Sequence, residues 1–297
     1  MAHSLSDLSR FLKSRRAAVD PAQAGVHPTV NRRRVSGLRR EEVAQLAGVS
    51  VDYYTRIEQG RAGEVSEEVL DALAGALRLT GDERSYLFNL VRHAGPPFAK
   101  GADGHDELCI PPTVPRRRVR PELRELLDSM EGVPAAVLGT GLDLLAWNGP
   151  LSLIWPGVDD LPEPELNLAR MVFLNPDTAN LHGDAETVRR DIVAGLRAAV
   201  GRHPDEPRLC AVVVELRRGS ARFRELWESH LVAERVHGTH TFRHPRAGEL
   251  SLRYEKLPLP ADPGQTLLLY SAAPGSPAEE GLRRLREEHA ARLAHSG

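Results

Sequence analysis

Apolar residues recur at helical spacing through the first third of the chain. In residues 6–19, Leu8, Phe11 and Leu12 share one face, and basic residues occupy much of the rest. Hydroxyl residues stand where N-caps are expected, at Ser50, Ser66 and Thr80. The pattern predicts five helices, over residues 6–19, 39–47, 50–59, 66–79 and 80–93.

The pattern changes in the second half of the chain. Short apolar runs separated by glycine turns predict two strands, at 135–138 and 142–147. Longer periodic segments predict helices over 185–201, 206–218 and 220–229, and an amphipathic helix over 276–293. Alternating segments within 238–257 and 265–272 predict three antiparallel strands. This order indicates an α+β fold built on a twisted antiparallel sheet.

A chain of 297 residues exceeds one typical domain, and its periodicity breaks at the segment AGPPFAKGADGHDE. We predict an all-α domain at 1–95, a linker at 96–118, an α+β domain at 119–276 and a C-terminal helix at 277–297. No apolar run approaches the length of a membrane span, and MAHSLSDLSR lacks the apolar core of a secretory signal. Cys109 and Cys210 match no metal spacing. We expect a cytoplasmic protein without disulfides.

The formal charge of −2 conceals a strong segregation of charge. Residues 1–40 carry nine basic and two acidic side chains, a net charge of +7. Residues 41–95 carry five basic and ten acidic side chains, a net charge of −5. Such asymmetry favours nucleic-acid binding, although a solvated basic arm without a partner would give the same counts.

Residues 38–61, LRREEVAQLAGVSVDYYTRIEQGR, fit a helix-turn-helix. Such a motif needs a small residue where its helices approach, here Ala44, and a residue that tolerates positive φ in the turn, here Gly48. Ser50 would cap the second helix, whose N-terminal end would enter the groove of DNA. The apolar residues expected to face inward are Val43, Leu46, Ala47, Val49, Tyr54 and Ile57. A purely structural helical hairpin is the alternative.

The segments REEVAQLAGVS and IEQGR resemble the lambda-repressor-like, or XRE-type, DNA-binding domain over about residues 4–94. The resemblance implies an all-α, five-helix DNA-binding domain. It departs from that family in the long, arginine-rich loop between the first two helices. Glu58 occupies the glutamate of the family's E-x-G pattern, which implies a structural role at the helix end rather than contact with DNA.

The candidate DNA-binding residues lie on the second helix of the motif and just upstream of it. Asp52 could accept a hydrogen bond from a cytosine amino group or stabilise its helix while facing away from the groove. The arginine triplet at 32–34 could neutralise phosphates or enter a narrow minor groove. The full set is Arg32, Arg33, Arg34, Arg39, Arg40, Ser50, Val51, Asp52, Tyr53, Thr55, Arg56 and Gln59.

Motifs of the second half, among them PAAVL…DLLAWN, ELRRGSARFRELWESH and HTFRHPRAGELSLRYEKL, are similar in order to the MmyB-like ligand-binding domain over about residues 119–276. That resemblance implies a PAS-like fold that senses a small lipophilic molecule. One departure is the segment SHLVAERVHG, with Leu231 after His230. Core packing is the alternative for each aromatic residue. The candidate ligand-binding residues are Trp147, Asn148, Trp155, Phe173, Phe223, Trp227, His230 and Tyr254.

Four histidines, His230, His237, His240 and His244, stand close together in sequence, and HGTH has a spacing seen at metal sites. In a strand, however, positions i and i+3 point to opposite faces. The sequence contains no G-x-S-x-G, Walker or H-E-x-x-H motif. We therefore expect no metal, no cofactor and no enzymatic activity.

Together these features predict a cytoplasmic transcriptional regulator that binds a double-stranded DNA operator as a homodimer and responds to a small lipophilic ligand, without membrane association. A dimer is expected because one recognition helix contacts too few base pairs for useful specificity. Two rival interpretations remain at this stage. The second domain could bind a protein partner, or the histidines could serve a DNA-tethered hydrolase.

Overall fold

The computed structural model describes residues 2–26, 36–92 and 118–296. These residues form two compact units. The first unit holds the N-terminal helices together with Arg197–Pro204 and Trp227–Ala233. The second holds the sheet and the remaining helical segments. Among the described residues, no helix is long and apolar enough to cross a membrane.

The N-terminal helices are α1 (Ala2–Ala18), α2 (Arg40–Leu46), α3 (Val51–Glu58), α4 (Glu67–Ala76) and α5 (Gly81–Arg92). Their starts follow the predicted caps. The Ser50 hydroxyl accepts the Tyr53 backbone N–H at 3.1 Å. Thr80 and Glu83 form a reciprocal capping box, with bonds of 2.9 and 3.3 Å. The predicted turn residue Gly48 has φ of 66°, a conformation that suits glycine.

The core of the first unit is built from apolar side chains of all five helices, as the helical periodicity predicts. Phe11 and Tyr86 meet edge to face, with ring centroids 5.1 Å apart. One inward residue was predicted wrongly, because Leu46 is 41% exposed while Val43 is fully buried. The buried residues Val43, Ala44 and Ala47 share one face of α2, and Leu46 lies to one side of that face.

From residue 118 onward the chain forms five strands, a first pair and a later group of three, with a run of helices between them. The strands are β1 (Ala135–Gly139), β2 (Leu144–Trp147), β3 (His237–His244), β4 (Gly248–Pro258) and β5 (Gln265–Ser271). The helices are α6 (Pro121–Ser129), α7 (Gly149–Ile154), α8 (Leu168–Phe173), α9 (Pro176–Asn180), α10 (Ala185–Arg202), α11 (Pro207–Gly219), α12 (Ala221–Glu228) and α13 (Pro277–Ser296).

The strands form one antiparallel sheet in the order β2-β1-β5-β4-β3. Sequence-distant β1 and β5 pair at its centre, with Val137 opposite Leu267. One face packs on α7 and α13 through residues such as Leu252 and Tyr270. On the other face, Leu123 of α6 packs against β1 and β5. A strand pair covered on both faces explains why β1 is an uninterrupted apolar run rather than an alternating one.

Helices α10, α11, α12 and α13 and the five strands agree with the sequence pattern to within a few residues. Helix α6 was not predicted, although Pro121 at its first position and the leucines at 123 and 127 are its signals. Helices α8 and α9 were not predicted either. With six and five residues, they are too short to show a periodic pattern.

Candidate functional site

The Glu58 carboxylate connects three segments of the first unit. It is fully buried, and it accepts hydrogen bonds from Arg16 Nε of α1 at 2.8 Å and Arg40 Nε of α2 at 2.5 Å. Tyr54 Oη, one turn earlier on α3, donates to it at 3.3 Å. Burial by itself would raise the pKa of Glu58, but the two guanidiniums outweigh burial and hold the pKa below its usual value. An ionised carboxylate therefore fixes the angle of α3 against α1 and α2.

The opposite face of α3 is open to solvent. Val51 is 41% exposed, and Asp52, Arg56 and Gln59 are also exposed. Tyr53 and Thr55 are partly buried at the edges of this face, and the Ser50 cap is exposed at its N-terminal end. The face thus offers a carboxylate, a guanidinium, an amide and a methyl-bearing side chain, which are the groups that contact base edges in a major groove.

The predicted basic residues lie near the start of α2. The Arg39 backbone N–H donates to Glu42 Oε2 at 2.6 Å, which closes the N-terminus of the helix. Arg40 binds Glu58 through Nε while its side chain stays 42% exposed. Arg40 therefore stabilises the fold through its contact with Glu58, which the sequence alone did not reveal. Arg32, Arg33 and Arg34 lie outside the described residues.

A cavity lies between strands β3–β5 and the helices α8–α10 in the second unit. Its atom-free space is about 740 Å³, which includes the part open to solvent. Apolar side chains form most of the wall, notably Leu142, Leu168, Met171, Val172, Ile192 and Leu268. Small-molecule sites have this character, a mostly apolar wall with a few polar groups.

The turn between β1 and β2 forms one wall of this cavity. Leu142 has φ of 65°, an unusual conformation for a branched side chain. The next residue fixes it, because Asp143 accepts two bonds from the Arg208 guanidinium, both at 2.6 Å. Asn167 Nδ2 donates to Asp143 at 3.0 Å and to the Gly141 carbonyl at 2.8 Å. This buried network holds the Leu142 side chain at the cavity wall.

The polar groups of the cavity lie around its histidines. His240 Nδ1 and the Tyr270 hydroxyl are 3.2 Å apart, and the His240 ring lies 4.3 Å from the Tyr254 ring, centroid to centroid. Burial lowers the pKa of His240 to about 3 and that of His182 to about 4, so both imidazoles are neutral near pH 7. Burial also lowers the pKa of Lys256.

The carboxylate of the cavity wall belongs to Asp191 on α10. Its pKa is raised by burial, and the positive charge of Arg235, whose Nε lies 2.9 Å away, opposes that rise. The cavity therefore contains neutral imidazoles and hydroxyls beside one carboxylate and one ammonium group.

Of the eight predicted ligand-binding residues, Trp155 and Tyr254 line the cavity. Trp147 does not, because its Nε1 donates to Asp159 at 2.7 Å on the surface. Asn148 is a structural residue. Its Oδ1 caps α7 by accepting from Leu151 N at 3.2 Å, and its Nδ2 donates to three backbone carbonyls at 2.8 to 3.3 Å.

The remaining four residues also lie away from the cavity lining. Phe173 and Phe223 pack edge to face, with ring centroids 5.1 Å apart. This contact agrees with core packing, the alternative that the sequence left open for each aromatic residue. Trp227 and His230 belong to the first unit. There the Arg197 guanidinium lies 4.1 Å above the Trp227 ring, and His230 is buried with φ of 55°.

The sequence did not indicate that His182, His240 and Lys256 would line the cavity. For Lys256 a signal existed, because it is in phase with the buried Leu252 and Tyr254 along β4, and alternate strand residues share a face. For His182 none existed. A single bridge to Phe242 of β3 brings it to the cavity from a turn after α9.

The four clustered histidines have separate positions. His237 is exposed, His240 lines the cavity, and His230 lies in the first unit. His244 Nδ1 accepts the backbone N–H groups of Arg246 and Ala247 and so closes the β3–β4 turn. Within the described ranges, no group of three His, Cys, Asp or Glu side chains is arranged to hold a metal ion.

Two protein families match the chain. The family described as MmyB-like transcription regulator ligand binding domain matches residues 119–285, and a helix-turn-helix domain family matches residues 7–87. A comparison with curated proteins gave no match. The two matched domains define a ligand-modulated transcription regulator with a helix-turn-helix DNA-binding domain. Because the first match spans more than half of the chain, the protein belongs to the family of regulators with an MmyB-like ligand-binding domain.

Proposed function

We propose that this protein binds a specific DNA operator as a homodimer and that a small lipophilic ligand, held in a PAS-like second domain, changes its operator affinity. The observation that carries the proposal is the largely apolar cavity within the family's ligand-binding domain. A ligand shifts a conformational equilibrium only by its difference in affinity for the two states. An apolar ligand buried against β4, β5 and α10 would favour the state in which that wall is closed.

The DNA-binding part of the proposal rests on α3. Its exposed face carries Val51, Asp52, Arg56 and Gln59, with Thr55 at the edge, and the Ser50 cap is exposed at the N-terminal end of the helix. A helix of this kind enters the major groove with its first residues against base edges. In the proposed lambda-repressor-like arrangement, the basic residues upstream of α3 would contact the sugar-phosphate backbone.

Footprinting of the tagged protein across the genome, followed by binding assays on the recovered sites, tests DNA recognition. Two half-sites about 34 Å, or one helical turn, apart are expected for a dimer. Mass spectrometry of small molecules released from the purified protein tests the ligand. Recovery of an apolar compound at near-stoichiometric yield supports it. If the protein regulates its operator with no ligand bound or added, the result would favour a second domain that binds a protein partner.

Arg33→Ala is expected to weaken binding to all DNA sequences alike, because the arginine triplet is proposed to neutralise phosphates. Losing one phosphate contact should flatten the slope of log affinity against log salt concentration by about one. Fluorescence anisotropy on operator and unrelated duplexes at several salt concentrations measures the slope. A loss confined to one operator would contradict the phosphate role and favour minor-groove insertion.

Arg56→Ala is expected to reduce affinity for the operator much more than for unrelated DNA. Arg56 is exposed on the outer face of α3, and a base contact by arginine contributes about 1–3 kcal/mol of discrimination. Competition between operator and unrelated duplexes measures this ratio. Arg84→Ala is a suitable control, because Arg84 is bound to Asp71. An equal loss on both duplexes would assign Arg56 to the phosphate backbone.

A further inference from the structure

Two side chains in the cavity wall have polar atoms that find no hydrogen-bond partner among the described residues. They are Trp155 Nε1 and His182 Nδ1. Trp155 is 3% exposed and His182 is 9% exposed, and both line the cavity. Buried polar atoms are normally paired, so two unpaired atoms on residues that line one cavity point to partners that a ligand supplies. The inference that follows rests on the proposed ligand-binding function.

The chemistry of the two atoms limits the partner. An indole Nε1–H can only donate, so the partner of Trp155 must be an acceptor. A neutral imidazole Nδ1 donates or accepts according to its tautomer, and His182 is neutral because burial lowers its pKa to about 4. Its ring is held beside Phe242, with centroids 5.4 Å apart, and beside His240, at 6.2 Å.

The charges near the cavity are balanced, which argues against an ionised ligand. The Lys256 ammonium interacts with the carboxylates of Asp191 and Glu234. Arg235 is paired with Asp191. The two cations therefore face two carboxylates. Burying a further charge without a counter-charge is far more costly than burying an uncharged oxygen that is hydrogen-bonded.

Arg189 on α10 is a further cation whose charge acts on His182. Burial lowers the pKa of His182, and the positive charge of Arg189 lowers it further. Trp155 and His182 themselves contribute uncharged hydrogen-bonding groups to the cavity wall.

We propose that the cavity binds an apolar molecule carrying uncharged oxygen functions of the ketone, alcohol or ester class, which Trp155 and His182 hold by hydrogen bonds. The apolar part of this ligand packs on the aliphatic wall formed by Leu168, Met171 and Leu268. Hydrogen bonding fixes the orientation of the ligand, and the apolar wall supplies most of its affinity.

The test compares four probes of equal chain length on the full-length protein. Dodecane, 2-dodecanone, 1-dodecanol and dodecanoate are titrated against bound N-phenyl-1-naphthylamine, a neutral fluorescent probe. The ketone and the alcohol are expected to bind at least about fivefold tighter than dodecane, the value of one net hydrogen bond. They are also expected to bind tighter than dodecanoate.

Two substitutions assign the hydrogen bonds. Trp155→Phe is expected to lower ketone affinity about fivefold, because a ketone oxygen only accepts. His182→Phe is expected to lower alcohol affinity by a similar factor. Both variants should bind dodecane as the unchanged protein does. Trp147→Phe is the matched control, because the Trp147 Nε1–H is bonded to Asp159. If Trp155→Phe does not fold, His182→Phe carries the test.

Each alternative outcome overturns the inference in a recognisable way. Tightest binding of dodecanoate, lost in Lys256→Met, would assign the cavity to an anionic head group. Equal binding of dodecane, ketone and alcohol would mean that no protein–ligand hydrogen bond contributes. Failure of all four probes, dodecane included, would also remove the support for a lipophilic ligand, whereas the first two results would leave that proposal in place.

Discussion

Gly195→Phe is expected to weaken ligand binding strongly and leave operator binding intact. Gly195 lies in α10 and lines the cavity, and a Cβ built on it meets no heavy atom within 4 Å. A benzyl group there extends into the space that the ligand needs. Overpacking costs about 1–3 kcal/mol, which corresponds to roughly a 5- to 150-fold loss of affinity for a ligand that must displace the ring. Displacement of the fluorescent probe measures this loss.

Gly195→Ala is the matched control for that experiment. A methyl group fills little of the cavity, and replacing a glycine inside a helix stabilises the helix by about 1 kcal/mol. This variant is expected to unfold at a higher temperature and to keep its ligand affinity. The ligand-dependent change in operator binding should persist in Gly195→Ala and disappear in Gly195→Phe. Unchanged probe affinity in Gly195→Phe would show that ligands bind elsewhere.

Glu58→Ala is expected to destabilise the DNA-binding domain by about 3 kcal/mol, because removing one partner of a buried ion pair leaves the other charge without a counter-charge. This value is the low end of the usual range, since Arg40 is 42% exposed and solvent can reach its charge. Arg16, at 17% exposure, has less access to solvent. Thermal unfolding followed by circular dichroism measures the loss, and operator affinity should fall with it. Glu41→Ala, at an exposed position of α2, is the control.

The same carboxylate predicts how stability depends on pH. The pKa of folded Glu58 is lowered, so its stabilising contribution is complete above the unfolded pKa of about 4.3 and is lost as pH falls through the lower folded pKa. In Glu58→Gln this part of the acid dependence should be absent. Identical acid unfolding curves for the two proteins would contradict the proposed ion pairing.

Local signals made the DNA-binding domain largely predictable. Ser50 and Thr80 form the expected caps, and Gly48 adopts the positive φ that a helix-turn-helix needs. The same signals could not show that Arg40 would bind Glu58, since the two residues stand 18 positions apart and an exposed cation has many possible partners. Arg40 was therefore assigned to DNA alone.

The cavity was less predictable because aromatic residues serve cores and binding sites equally well. Trp155 lines the cavity, while Trp147 lies in the same segment and bonds to a surface aspartate. His182 could not be found from periodicity, because tertiary pairing with β3 alone brings it to the wall. Side chains that meet through long-range pairing leave no local pattern in the sequence.

Asn148 has a consequence for the chemical ageing of the protein. It is followed by Gly149, and an asparagine before glycine deamidates readily when the glycine nitrogen can reach the side-chain carbonyl. In the fold, Oδ1 is occupied by the N–H groups of Ala135 and Leu151, and Nδ2 is held by three carbonyls. The fold therefore protects the side-chain amide of Asn148. In an unfolded chain this amide can be converted to a carboxylate, which after refolding would face those three carbonyls. We therefore expect deamidation at position 148 to accumulate in molecules that have been unfolded and to hinder their refolding.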